Sequence, residues 1–309
     1  MRIPIFLGSL SLLVLTAGCS QAQSDQAAET STDQAATTDG AKEKGKGKKN
    51  KGKTKSKDAA AVAGLRRVGS LKGVVPESSS LCPAPQPGTY YSFGDGGNPS
   101  ILYQFDGTGK LLGTLELGAT NDDWESLSRD DQGNYYLGNC GNNESRRRDL
   151  SIYRLRPDQP NQLQQISFRY PDQTEFPPSS KKAQNFDCEA IVWHAGRVYL
   201  FTKDRAGRTS KVYSVPAAPG DYEAQLVTSL AIAGEVTDAA LRPDGRRLVL
   251  LGREELFILD GSSWQEILKA TPRQISLAGA GQTEGCTFKD ANTLLISTEQ
   301  GGLFEYKLP

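Results

Sequence analysis

Histidine and methionine are almost missing from this 309-residue chain: His194 is the single histidine and Met1 the single methionine. Zinc sites built from several imidazoles, haem ligation and histidine-rich catalytic centres therefore have nothing to draw on. His194 falls in Val192-Trp193-His194-Ala195-Gly196-Arg197, which reads as a turn between strands and points to no catalytic role. Long apolar runs are scarce too, and the run from Ile3 to Leu15 is too short for a membrane-spanning helix. An excess of either charge is also lacking, with 36 basic against 36 acidic residues. That balance hides a split, because nine lysines and one glutamate, Glu43, lie between Lys42 and Lys57. The rest of the chain is mildly acidic and has no basic footprint for nucleic acid. The glycine-rich stretches at 94–97 and 279–281 precede no helical pattern, so they read as loops, not phosphate cradles.

The first 18 residues read as a leader: Arg2 is a positive start, an apolar run follows, and Thr16-Ala17-Gly18-Cys19 ends it in small residues. This end resembles the lipobox of bacterial lipoproteins, with Thr16 where leucine is usual. The resemblance implies cleavage before Cys19, lipidation of Cys19 and a place in the cell envelope. Ser20 after the cysteine fits the outer membrane, facing the periplasm or the cell surface. Residues 19–62 contain almost no large apolar side chains and are expected to be a disordered tether. Its first half is acidic (Asp25, Glu29, Asp33, Asp39) and its second half lysine-rich. It should reach about 35 Å and meet anionic lipid headgroups or envelope polymers, if it binds anything.

Residues 63–309 carry a fivefold repeat. Acidic residues recur at Glu77, Glu125, Glu189, Asp238 and Glu284, spaced 48, 64, 49 and 46 residues apart. Aromatic residues keep the same rhythm at Tyr103, Tyr153, Tyr213, Phe257 and Phe304. Units of this length, holding short strands between glycine and aspartate turns, predict an all-β fold: a five-bladed β-propeller, with six blades as the alternative. The last unit stops after three strands at Pro309, and the segment Leu65 to Val75 can supply the fourth and close the ring. The extra length of the second unit, Tyr170 to Asn185, reads as a long loop.

Each acidic residue should start an inner strand, so the five should ring one mouth of the central channel. Asp123 and Asp187 precede two of them, and Asp95, Asn139, Lys203, Arg253 and Glu299 end the second strands on the same face. Glu77, Glu125, Glu189, Asp238, Glu284, Asp123, Asp187 and Glu299 are thus candidate ligands for a metal or another partner. Carboxylates crowded at a narrow mouth repel unless a cation or protons intervene, which makes Ca²⁺ the candidate cofactor. Lys203 and Arg253 are the candidate anion-binding residues. An equally simple reading is a structural ring of caps and ion pairs. Four cysteines remain after Cys19, an even number for an oxidising compartment. Propeller neighbours predict disulfides Cys140 to Cys188 and Cys82 to Cys286.

Gly94-Asp95-Gly96-Gly97-Asn98-Pro99, Asn121-Asp122-Asp123-Trp124-Glu125, Gly138-Asn139-Cys140-Gly141-Asn142-Asn143 and Arg146-Arg147-Arg148-Asp149-Leu150-Ser151-Ile152-Tyr153-Arg154 resemble a bacterial group of secreted β-propellers. That group is loosely similar to the phytase-like or esterase-like propellers. The resemblance runs on through Asp187-Cys188-Glu189-Ala190 and Leu295-Ile296-Ser297-Thr298-Glu299 and covers nearly the whole region. Asn139 and Asn142 stand where the group commonly has acids, which lowers the Ca²⁺ affinity to be expected. Two functions follow: an envelope binding module with an unknown ligand at the mouth, or a Ca²⁺-dependent hydrolase of a phosphate or other ester. In the second, Glu125, Glu189 and Glu284 would hold the metal and Lys203 and Arg253 the anion.

Overall fold

A computed structural model describes residues 62–205 and 209–309. The leader, Cys19 and the tether lie outside the described residues. Strand β1 (Leu65–Ser70) comes first. Strands β2 (Cys82–Pro83), β3 (Thr89–Ser92), β4 (Ile101–Asp106) and β5 (Leu111–Glu116) make the first blade. The second has β6 (Trp124–Arg129), β7 (Tyr135–Asn139), β8 (Ser151–Leu155) and β9 (Gln164–Arg169). The third has β10 (Asp187–His194), β11 (Arg197–Lys203) and β12 (Ser210–Pro216), then β13 (Gly220–Glu223) and β14 (Gln225–Leu230). Of these last two, β14 completes the third blade, while β13 pairs in parallel with β9 as a fifth strand of the second. The fourth has β15 (Val236–Leu241), β16 (Arg247–Gly252), β17 (Glu255–Asp260), the short helix α1 (Trp264–Ile267) and β18 (Arg273–Ser276). The fifth has β19 (Thr283–Asp290), β20 (Thr293–Thr298) and β21 (Gly302–Lys307), and β1 pairs antiparallel with β21 to complete it.

The chain is therefore a five-bladed β-propeller closed by its first described strand. Its core is not one mass but five clusters, one at each blade-to-blade interface. Ile152 and Phe168 meet Leu200 and Tyr213 between the second and third blades, and Phe201 and Val212 meet Leu250 and Phe257 between the third and fourth. Leu71, Tyr90 and Phe105 meet Leu295 and Leu303 where the last blade rejoins the first. Each fully buried large side chain contributes about 1.5–3 kcal/mol, so the interfaces hold the ring. The third strands carry the aromatic marks Tyr103, Tyr153, Tyr213, Phe257 and Phe304.

A polar hub on the axis ties the blades a second time. Asp238 on β15 is 0 % exposed. Its carboxylate accepts from Ser80 Oγ (3.1 Å), the Leu81 N–H (3.3 Å), Ser126 Oγ (2.8 Å) and the Cys286 N–H (2.9 Å). Ser80 Oγ in turn accepts from the Leu127 N–H, and Ser126 Oγ from the Ile191 N–H, both at 3.0 Å. One carboxylate and two hydroxyls thereby join all five blades. Gly285 leaves the room, since a Cβ there would lie 2.8 Å from the Ser80 carbonyl carbon.

The disulfide expectation is corrected. Cys82, Cys140, Cys188 and Cys286 are all free and buried. Cys140 Sγ donates to the Cys188 carbonyl (3.4 Å) and Cys188 Sγ to the Ala190 carbonyl (3.6 Å), and the two thiols are neighbours in one cluster but unbonded. Cys82 packs between the first and second blades and Cys286 between the fourth and fifth, which leaves them in different clusters.

Candidate metal centre

Three of the inner strands begin with a β-bulge, and the bulged residue is the acid. Pairing runs from Trp124 with Asn139 to Ser126 with Gly138, skipping Glu125. It likewise skips Glu189 on β10 and Glu284 on β19. A bulge re-aims one side chain without disturbing the next, and these carboxylates turn to the mouth while Ser126, Ala190 and Gly285 follow them. On β15 the skipped residue is Thr237, not Asp238. Asp238 therefore occupies the following position and enters the channel, where it forms the hub. The sequence spacing had placed it in the mouth ring one residue out of register, and a slip of one reverses a strand residue's face.

Asp95, Asp123 and Glu125 bring carboxylate oxygens within 4.8 Å of one another, and so do Glu125, Asp187 and Glu189. Amides build this arrangement. The Asp123 N–H donates to Asn139 Oδ1 (3.1 Å), the Trp124 N–H to Asn121 Oδ1 (3.0 Å), and Asn121 Nδ2 to the carbonyls of Gly94 (2.9 Å) and Asp95 (3.0 Å). Asn121 thus splices the Asp95 loop to the start of β6. Beneath the cluster lies Gly141, where a Cβ would stand 2.2 Å from Glu125 Oε1 and 2.5 Å from Asp123 Oδ2.

The two triads differ in charge balance. Glu189 Oε1 lies 3.0 Å from Lys203 Nζ, whose side chain is 4 % exposed. Asp187 accepts from Arg205 Nη2 (2.8 Å) and the Asn142 N–H (2.7 Å). Two carboxylates face two cations there. Asp95, Asp123 and Glu125 have no cation within ion-pair distance among the described residues. Glu125 is 4 % exposed and accepts no hydrogen bond from any described residue. Burial, then the neighbouring Glu189, Asp187, Asp95 and Asp123, push its carboxyl far above the usual range. Burial and Asp95 push Asp123 up to about 6. Burial raises Asp95, against the Gly96 N–H it accepts from, and burial and Asp187 raise Glu189, against the pull of Lys203. Such a set either keeps protons at neutral pH or takes a cation.

The remaining expected residues lie apart. Glu77 is exposed and its Oε2 accepts from Asn98 Nδ2 (2.9 Å). Glu284 is 3.8 Å from Arg253, which is equally far from Glu235. Burial pushes Glu284 up to about 7. Glu299 keeps one buried carboxylate oxygen without a hydrogen-bond partner. Lys203 is committed to Glu189, and Arg253 is half-exposed. Two contributors escaped the sequence reading. Arg205 lies just beyond the end of β11, and Gly141 matters for the side chain it lacks; only its position beside Asn139 and Cys140 in a conspicuous motif marked it.

All donors are oxygens on loops and bulges, which suits Ca²⁺ and gives soft metals nothing to hold. Gly141→Ala should leave the fold intact, because only side-chain ends crowd the new methyl. It should still weaken Ca²⁺ binding about tenfold or more by forcing Asp123 and Glu125 out of position, as metal titration of the purified variant would show.

No protein-family model matches the chain, and no curated protein matches it. Among solved structures it is similar to the PQQ-bound aldose sugar dehydrogenase of Streptomyces coelicolor, with 10% identity over 79% of this chain and 97% of the other and a TM-score of 0.49. A gluconolactonase of Xanthomonas campestris gives 14% identity over 79% and 82% of the two chains and a TM-score of 0.46. Virginiamycin B lyase of Staphylococcus aureus gives 13% identity, a TM-score of 0.40 and coverage of 75% of this chain and 66% of the lyase.

Proposed function

We propose that the acidic mouth holds Ca²⁺ and that the propeller is a Ca²⁺-dependent binding module of a bacterial cell envelope, carried on a lipid anchor at Cys19. The observation that carries this reading is Glu125: a carboxylate only 4 % exposed, without a donor or cation among the described residues, aimed with Asp95 and Asp123 into the space above Gly141. Three crowded carboxylates repel one another unless protons or a cation intervene, and a divalent ion on them would relieve that repulsion. Asp95 lies on the exposed side, so coordination positions there remain open to a ligand oxygen.

The ligand follows from the charge left over. Three carboxylates outweigh one Ca²⁺. An anion would be repelled, whereas a neutral, hydroxyl-rich envelope glycan can offer oxygens to the metal. The ester hydrolase is the weaker reading, because Lys203 is spent on Glu189 and Glu284 stands outside both carboxylate triads. Melting curves in EDTA and in CaCl₂ test the module. Saturating Ca²⁺ at about 100 Kd should add about 2.7 kcal/mol, a rise of roughly 5–10 °C. Ca²⁺-dependent retention on immobilised envelope glycan should follow and vanish in Glu125→Gln. A melting temperature indifferent to Ca²⁺ would remove the basis of the proposal.

A further inference from the structure

The channel has a second mouth. The inner strands end there, and a cavity of about 630 Å³ opens on the axis, a size usual for small-molecule sites. Every blade supplies an apolar wall: Leu81, Leu127, Val192, Ala240 and Phe288. The Asp238 hub lies at its base, since Leu81 and Cys286 both line the cavity and donate their N–H groups to that carboxylate. The two mouths are therefore separate sites of opposite character, one built of carboxylates and one of hydrocarbon.

One cation stands over the apolar wall without a counter-ion. Arg129 ends β6, reaches the carbonyls of Pro83 (3.4 Å) and Ala84 (3.5 Å) and lies over the Tyr135 ring (5.9 Å to the centroid), with no carboxylate in ion-pair range among the described residues. The neighbouring charges are accounted for. Asp130 is consumed by the N–H groups of Gln132 and Asn134, by Asn134 Nδ2 and by the Tyr136 hydroxyl. Asp244 pairs with Arg242 at 2.8 Å. His194 stacks on Trp264 with ring centroids 4.8 Å apart, and burial lowers its affinity for a proton. Asp131 sits in an exposed turn.

We propose that this mouth is a second ligand site, for a small carboxylate with an apolar body: the body fills the hydrocarbon cup and the carboxylate pairs with Arg129. Closing an apolar cup over hydrocarbon supplies affinity, and the single cation supplies orientation. The site stands independently of the metal at the other mouth.

Calorimetric titration with 4-phenylbutyrate, its primary amide and 4-phenylbutylamine tests it. The acid should bind at one site per chain, with the amide and the amine about tenfold weaker. Arg129→Gln should bring the acid down to the level of the amide and leave the amide unchanged, and Arg129→Lys should restore part of the difference. EDTA and Glu125→Gln should change none of these values. Equal affinity for acid and amide, indifference to Arg129→Gln, or no binding of the acid would each overturn the proposal. Tighter binding of the amine would show that Asp131, not Arg129, rules the rim, and would overturn it as well.

Discussion

Asp238→Ala is expected to lower the unfolding free energy by about 3–5 kcal/mol, the largest effect of any single polar substitution in this fold. The reason is the donors left behind. Ser80 Oγ, Ser126 Oγ and the N–H groups of Leu81 and Cys286 all point at the missing carboxylate from three other blades. Water cannot readily replace a hub that is 0 % exposed. Asp238→Asn should fall between, because one amide oxygen can still accept while its NH₂ opposes the remaining donors. Urea denaturation of both variants and of Ser126→Ala checks the ordering. A loss under about 1 kcal/mol for Asp238→Ala would mean that the five apolar interfaces hold the ring unaided.

The second large effect is a stability that falls as pH rises. An unfolded carboxyl titrates near 4, whereas burial pushes Asp238 and Glu284 up to about 7 and Asp123 up to about 6. Between these values the folded protein binds more protons than the unfolded chain, so stability declines with increasing pH across that window. Metal-free protein should lose on the order of 3 kcal/mol between pH 5 and pH 8, after discounting Asp123 for its exposure and Asp238 for its donors. Ca²⁺ should remove the Asp123 share of that loss at pH 8 and add little at pH 5, where protons already occupy the cluster, while the Asp238 and Glu284 shares remain because neither residue belongs to the carboxylate triads. Melting temperatures measured along a pH series, with EDTA and with Ca²⁺, give both slopes. A metal-free protein that gains stability from pH 5 to pH 8 would contradict the assignment.

Much of the architecture could be read before any coordinates, and the reasons are physical. Each blade places an aromatic on its third strand, so Tyr103, Tyr153, Tyr213, Phe257 and Phe304 kept a countable rhythm. The truncated last repeat and the spare segment Leu65 to Val75 gave the closure, because unpaired edges are costly. The bulges were not legible. A bulge adds one residue without changing composition, so Asp238 passed for a member of the acidic ring although Thr237 holds the equivalent place. Nor could β13 be assigned, since its partner β9 belongs to another blade and the parallel pairing leaves no hairpin signature. The carboxylate cluster was half legible. Asp123, Glu125, Asp187 and Glu189 come together as their spacing implied, and Lys203 stands beside Glu189 at the mouth where the sequence put it, but the charge balance also depends on Arg205, which only the fold brings to Asp187.

Calorimetric titration of Ca²⁺ into metal-free wild-type protein and into Glu125→Gln, at pH 7.5, bears most directly on the mouth. One Ca²⁺ per chain for the wild type, bound with proton release, and none for Glu125→Gln is the result expected of a buried carboxylate with no other partner among the described residues. No heat of binding in the wild type, or the same isotherm in both proteins, would contradict it and leave the acidic mouth a protonated structural cluster.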